Sequence, residues 1–159
     1  MREFNLAGFA AHLAVLSHEM HAHTEQGLHR ALQVIQDDAV AQIGHYQDAI
    51  GNFSGWPALA DSTEAQKARL GYPLDAPLLR TGELRESFSH QVEGHTGVVG
   101  STDETMLYHE LGTSKMPPRP VLGPAIVRSE RKVEAIVGRS LVEGILGGEV
   151  IGLLSEEEL

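Results

Sequence analysis

The sequence predicts an α+β fold, with a long N-terminal helix or helix pair and a C-terminal helix packed on a small antiparallel β-sheet. Apolar residues recur at helical spacing at both ends of the chain. Between them lies a short stretch that alternates every second residue. The 17 glycines and 7 prolines gather mostly between Gly51 and Pro124, which marks the middle as turn-rich.

The first helical region runs from Leu6 to about Tyr46, with Leu13, Leu16, Met20, Leu28, Leu32, Ile35, Ala39 and Ile43 in register. Its weak point is His21 to Gly27, where Thr24 suits a helix cap and Gly27 costs helix stability, so a kink or short break is expected there. Residues 47–80 lose periodicity and collect breakers at Gly51, Gly55-Trp56-Pro57, Gly71-Tyr72-Pro73 and Pro77. They read as an extended surface loop interrupted by one short helix, Ser62 to Leu70, capped by Ser62.

Beyond Thr81-Gly82 the period shortens. Phe88 and Val92 fall on one side, with Ser87, Ser89 and Gln91 on the other, which reads as a half-buried strand up to Glu93. Gly94 to Gly97 supplies the turn of a hairpin that returns through Val98 to Ser101. From Glu104 to Leu111 the spacing suits a short helix that turns Leu107, Tyr108 and Leu111 to the core.

Pro117-Pro118-Arg119-Pro120 cannot be helical, because each proline fixes its own φ and pushes the residue before it toward extended geometry. This stretch reads as a rigid strut. Gly123-Pro124 then launches the last helix, whose stripe of Ile126, Val133, Ile136, Val137, Leu141 and Ile145 ends at Gly147-Gly148. The domain is therefore read as residues 1–148, followed by a tail, 149–159, whose Val150 to Leu154 is suited to packing on a neighbouring subunit.

Composition narrows the function. A chain of 159 residues with 42% hydrophobic content suffices for one ordinary core. A formal charge of −10 opposes wrapping a polyanion, and the absence of cysteine removes disulfides and thiolate chemistry. His12 interrupts the apolar run Leu6 to Leu16, which argues against a signal peptide, and no apolar stretch is long enough to span a membrane. The expectation is a protein made in a cytoplasm.

Candidate chemistry is weak. Nine histidines invite a metal reading at His18, His21 and His29, yet the zincin pair needs histidines four apart, and position 22 is alanine. Ser54 between Gly51 and Gly55 is out of register with a nucleophile elbow. Gly112-Thr113-Ser114-Lys115 lacks the upstream glycine and the Gly-Lys order of a phosphate loop. The basic residues Arg128, Arg131, Lys132 and Arg139 are interleaved with Glu130, Glu134 and Glu143, the pattern of a solvated face. No catalytic residue, cofactor or metal ligand is assigned.

Two segments carry a different signal. Thr81-Gly82-Glu83-Leu84-Arg85-Glu86-Ser87 precedes Tyr108-His109-Glu110-Leu111-Gly112-Thr113-Ser114-Lys115-Met116-Pro117-Pro118-Arg119-Pro120-Val121-Leu122. In this order and spacing the chain resembles the neck and tail-completion proteins that join head and tail in long-tailed bacteriophages, the gene-ten-product-like "phage morphogenesis" proteins of lambda-like siphophages. Trp56-Pro57 through Thr63, Lys67 and Leu79-Arg80-Thr81-Gly82 also resemble tail-completion proteins of contractile-tailed phages. Val121 and Leu111 stand where phenylalanine is common in the family.

The resemblance implies helices packed on a small antiparallel sheet, and a structural virion protein, not an enzyme, at the neck or head-proximal tail end. It implies a homo-oligomeric ring of about six subunits, with a head-closure or connector protein and a tail-tube or terminator protein as partners. Genomic DNA would meet it only by passing through the lumen, and no membrane is involved. The assembly-motif residues it marks are Thr81, Gly82, Leu84, Arg85, Ser87, Tyr108, Glu110, Gly112, Thr113, Pro118, Arg119, Pro120 and Leu122. A tail-terminator ring is the alternative within this class. From other classes, a small His-dependent metal hydrolase and an acidic module acting on a host protein stay open.

Overall fold

The computed structural model describes residues 6–146. Helix α1 spans Leu6–Gln42, α2 Asp61–Leu70 and the single turn α3 Glu83–Glu86. Strands β1 (Phe88–Glu93) and β2 (Thr96–Ser101) form one antiparallel hairpin, followed by α4 (Thr105–Leu111) and α5 (Leu122–Leu146). The fold is α+β as predicted: α1 packs on α5 along one side and on both strands along another.

The two long helices run antiparallel. Asp38 of α1 pairs with Arg128 near the start of α5, while Gly27 lies against Ser140 toward its end. The expected break near Gly27 does not occur, since α1 is continuous over 37 residues. Thr24, instead of capping a second helix, donates its hydroxyl back to the Met20 carbonyl at 2.7 Å. Gly27 serves another purpose: a Cβ there would run into the Ser140 side chain, so glycine lets the helices approach closely.

The face of α5 that meets α1 is built from small residues, with Ala125, Ser129, Ser140 and Gly144 buried. Of the six large aliphatics that define the sequence stripe, Ile126, Leu141 and Ile145 are exposed, while Val133, Ile136 and Val137 are half-buried. Helix α5 begins at Leu122, two residues before Pro124. Its expected stop at Gly147-Gly148 and the 149–159 tail lie outside the described residues.

The core joins Leu32, Ile35, Ala39 and Ile43 of α1 to Phe88, Met106, Val121 and Ala125. Trp56 completes it, with its indole Nε1 donating to the Pro120 carbonyl at 3.1 Å. Residues 47–80 are therefore not a purely surface loop, since Trp56, Lys67, Ala76 and Pro77 are all buried. Burying one large apolar side chain contributes about 1.5–3 kcal/mol, which is enough to hold this segment on the body. The helix within it starts at Asp61, with Ala60 at the cap position and no side-chain cap, so Ser62 does not have that role.

The hairpin pairs Phe88 with Ser101 and Glu93 with Thr96, leaving Gly94-His95 as a two-residue turn. Strand β2 thus begins two residues earlier than the alternation predicts. Phe88 is buried and Val92 half-buried, as the pattern requires. Helix α4 has the expected bounds to within a residue but the opposite facing. Met106 is buried, whereas Leu107, Tyr108 and Leu111 are 59%, 53% and 73% exposed.

Candidate functional site

The two motif segments meet the long helices at their ends. In the first, Gly82 opens α3 with φ 102° and accepts the Arg85 amide at 2.8 Å. Thr81 Oγ1 donates to the Glu83 carboxylate at 2.8 Å, Leu84 packs on the core, and the Ser87 hydroxyl donates to the Leu84 carbonyl and contacts the Ser101 hydroxyl at 2.7 Å. This compact turn aims the Arg85 guanidinium at the carbonyl of Ile43, just past the end of α1. A cation there satisfies a carbonyl that the helix leaves without a partner and matches the negative end of its dipole.

The second segment does the converse at the start of α5. Glu110 Oε1 accepts the amides of Val121 at 3.1 Å and Leu122 at 2.6 Å. A carboxylate in this position satisfies N–H groups that the first helical turn cannot pair, and it complements the positive end of the dipole. Both helix ends are thus capped by charged side chains distant in sequence. The chain returns to Glu110's level through a closed turn, with a Thr113–Met116 bridge.

Gly112 makes the return possible. Its φ is 72°, and a Cβ there would lie 2.9 Å from Pro118 N and 3.0 Å from Met116 O. Arg119 locks the strut from both sides. Its amide donates to the His109 carbonyl at 2.7 Å, and its Nη2 donates to the carbonyls of Pro57 at 2.9 Å and Ala58 at 3.2 Å. Pro118 and Pro120 follow this path without helical backbone, and Leu122 is the first residue of α5. Of the residues marked in the sequence, Tyr108 alone presents an exposed large side chain at this junction.

Beside the strut lies a pocket of about 420 Å³ that sequence reasoning missed. Lys67, Arg80, His109, Lys115 and Arg119 contribute to its wall, together with apolar groups that include Leu78, Leu79 and Met116, and among the described residues no acidic one lines it. Burial, joined by the Arg119 guanidinium, pushes the His109 imidazole below its ordinary range, with Asp103 opposing the shift. Burial likewise lowers Arg119, against Tyr46. For Lys67 burial is the largest cause of a lowered pKa, with Arg80 adding to it and Glu64 and Asp75 opposing. The Lys67 ammonium bonds the Ala76 carbonyl at 2.5 Å.

The histidines singled out as metal ligands are not brought together. The His21 ring stands 4.8 Å from His95, and His29 stands 5.6 Å from His90, both edge to face across the α1–hairpin contact. His90 in turn meets Gln36 Oε1 through Nδ1 at 2.6 Å. Among the described residues no group of three His, Asp or Glu is placed to hold a metal ion. No described helix is long and apolar enough to cross a membrane.

Comparison of the chain with protein-family models, curated proteins and solved structures gives no match.

Proposed function

We propose that the chain is a structural subunit of a tailed-bacteriophage virion, a neck or tail-completion protein that forms a ring between head and tail and has no enzymatic activity. The observation that carries this reading is the presence of two separate apolar surfaces on one chain. One is Leu107, Tyr108 and Leu111 on α4. The other is Leu141, Val142, Ile145 and Leu146 on α5.

Glu110 ties α4 to the start of α5, and Leu141 lies 19 residues beyond Leu122, which at the helical rise is about 28 Å along the helix from that tie. Exposed apolar groups gathered this way mark contact sites. Two different patches on one chain suit heterologous, head-to-tail association, which closes into a ring when successive subunits keep one rotation. The motif resemblance supplies the context: about six copies, with a head-closure or connector protein on one side and a tail tube or terminator protein on the other. The net charge of −10 suits a lumen through which DNA passes without adhering.

Light-scattering mass measured up to virion-like concentration, alone and with the tail tube, tests the reading. A closed oligomer is expected, and Leu111→Glu, a change at an exposed position, should abolish it while leaving the circular-dichroism spectrum unchanged. A wild-type chain that stays monomeric even with its tail tube overturns the proposal.

A further inference from the structure

The basic pocket beside the strut is at odds with the rest of the chain. Lys67, Arg80, Lys115 and Arg119 converge on it in a protein whose net charge is −10. Two of these cations are withdrawn from water, with Lys67 5% and Arg119 6% exposed. Buried cations are costly unless their donors are satisfied and an opposite charge stands close.

The donors are only partly used. Arg119 spends Nη2 on the Pro57 and Ala58 carbonyls, but among the described residues its buried Nε has no partner, and neither has His109 Nδ1. Lys67 bonds one carbonyl, that of Ala76, and has capacity for more. Glu64 and Asp75 act on Lys67 from outside the lining, and the Glu64 carboxylate already accepts the Asp75 amide. What the cavity wants is a ligand with carboxylates for its basic wall and aliphatic groups for Leu78, Leu79 and Met116.

We infer that this pocket receives the Leu153–Glu158 segment of a second copy of the chain. That segment, Leu153-Leu154-Ser155-Glu156-Glu157-Glu158, holds the chain's one run of three acidic residues, preceded by two leucines, and no Lys or Arg follows Arg139. Its chemistry is complementary to the wall on both counts. Reach favours a second copy over the same chain. Helix α5 starts three residues after Arg119 and runs away from the pocket for 25 residues, or about 37 Å. The ten residues from 147 to 156 span at most about 36 Å when fully extended. Returning to its own pocket would hold the tail taut along its whole length, whereas a neighbour's pocket imposes no such condition.

The inference rests on the self-association proposed above and adds its directional contact: the tail of each subunit in the pocket of the next. The test uses the full chain carrying Glu156→Gln, Glu157→Gln and Glu158→Gln, whose own tails no longer compete. A fluorescein-labelled peptide with the sequence of residues 149–159 is titrated into it by anisotropy. Binding should weaken at least tenfold when the peptide's three glutamates of the acidic run are glutamines, and by a similar factor when the receptor also carries Arg80→Gln and Lys115→Gln, two exposed rim positions.

Equal binding of the acidic and glutamine peptides, or no binding of either, overturns the inference. So does inorganic phosphate that saturates the pocket while the peptide does not bind, which would make it a small-anion site. Light-scattering mass separates the two proposals. A wild-type chain monomeric alone and with its tail tube sinks the ring reading, and with it a second copy as occupant. A chain that assembles while its pocket ignores the peptide's charge sinks this inference alone.

Discussion

Glu110 makes the most consequential single contact in the strut, because one carboxylate oxygen serves two amides at the start of α5. Removing it leaves those N–H groups, one on the buried Val121 and one on the half-buried Leu122, without this partner. Glu110→Ala is expected to cost about 1–2 kcal/mol, the upper part of the range for a lost cap. Glu110→Gln keeps an acceptor oxygen and loses only the charge–dipole attraction, about 0.5 kcal/mol. Urea midpoints at constant m-value measure both, and an alanine variant as stable as the wild type would show that the cap is dispensable. His109, the neighbouring residue, makes stability depend on pH. Its folded pKa is depressed below 6.5 by burial and then by Arg119. Below about pH 6.5 the unfolded state therefore binds more protons than the folded one, so stability rises with pH through that window. This contribution is complete above 6.5 and is lost as the pH falls toward the folded pKa. Melting temperature followed from pH 7.5 down to 5 should decline, and His109→Gln should flatten the decline. Equal slopes for variant and wild type would assign the effect to other groups.

At the scale of elements, the close approach of α1 and α5 sets the architecture. Gly27→Ala raises helix propensity by about 1 kcal/mol, yet the new methyl meets the Ser140 side chain, an overlap that costs about 1–3 kcal/mol. Net destabilisation is expected, and adding Ser140→Gly should restore stability toward the wild type. A Gly27→Ala variant more stable than the parent in denaturant titration would mean that the helices slide apart at no cost. This contact also marks what the sequence leaves illegible. Helical spacing locates α5, but it favours the large aliphatics Ile126, Leu141 and Ile145. The buried face is the one that fits against Gly27 and Met20, and small residues such as Ser140 and Gly144 carry little weight in a periodicity argument. Helix α4 fails in the same way: seven residues are too few for period alone to choose between the Met106 face and the Leu107-Tyr108-Leu111 face. Trp56 sits among turn formers and is buried by packing on the core, where Pro120, far along the chain, accepts its N–H.

Across the whole molecule, the fold class and the order of the main elements were readable, because they depend on local period and on where glycine and proline interrupt it. Strand positions Phe88 and Val92 and the non-helical path of Pro117 to Pro120 follow from the same local rules. The pocket was not readable. Lys67 and Arg119 come together only through the folding of residues 47–80 onto the strut, and each looks like an ordinary surface cation in the sequence. The capping roles of Arg85 and Glu110 were hidden for the same reason, although both residues lie in the segments that the resemblance marked. The capped start of α5 also has a mechanical side. The helix is 25 residues long over the described residues, about 37 Å, and with α1, along which it lies, it forms one stiff arm whose direction is set where Glu110 and Arg119 hold its start. A change of about 5° in that direction carries the far tip through about 3 Å, by the same helical dimensions. That displacement approaches the width of an atom-to-atom contact, so the tolerance for error is smallest at the held start, far from the distal surface whose placement it governs.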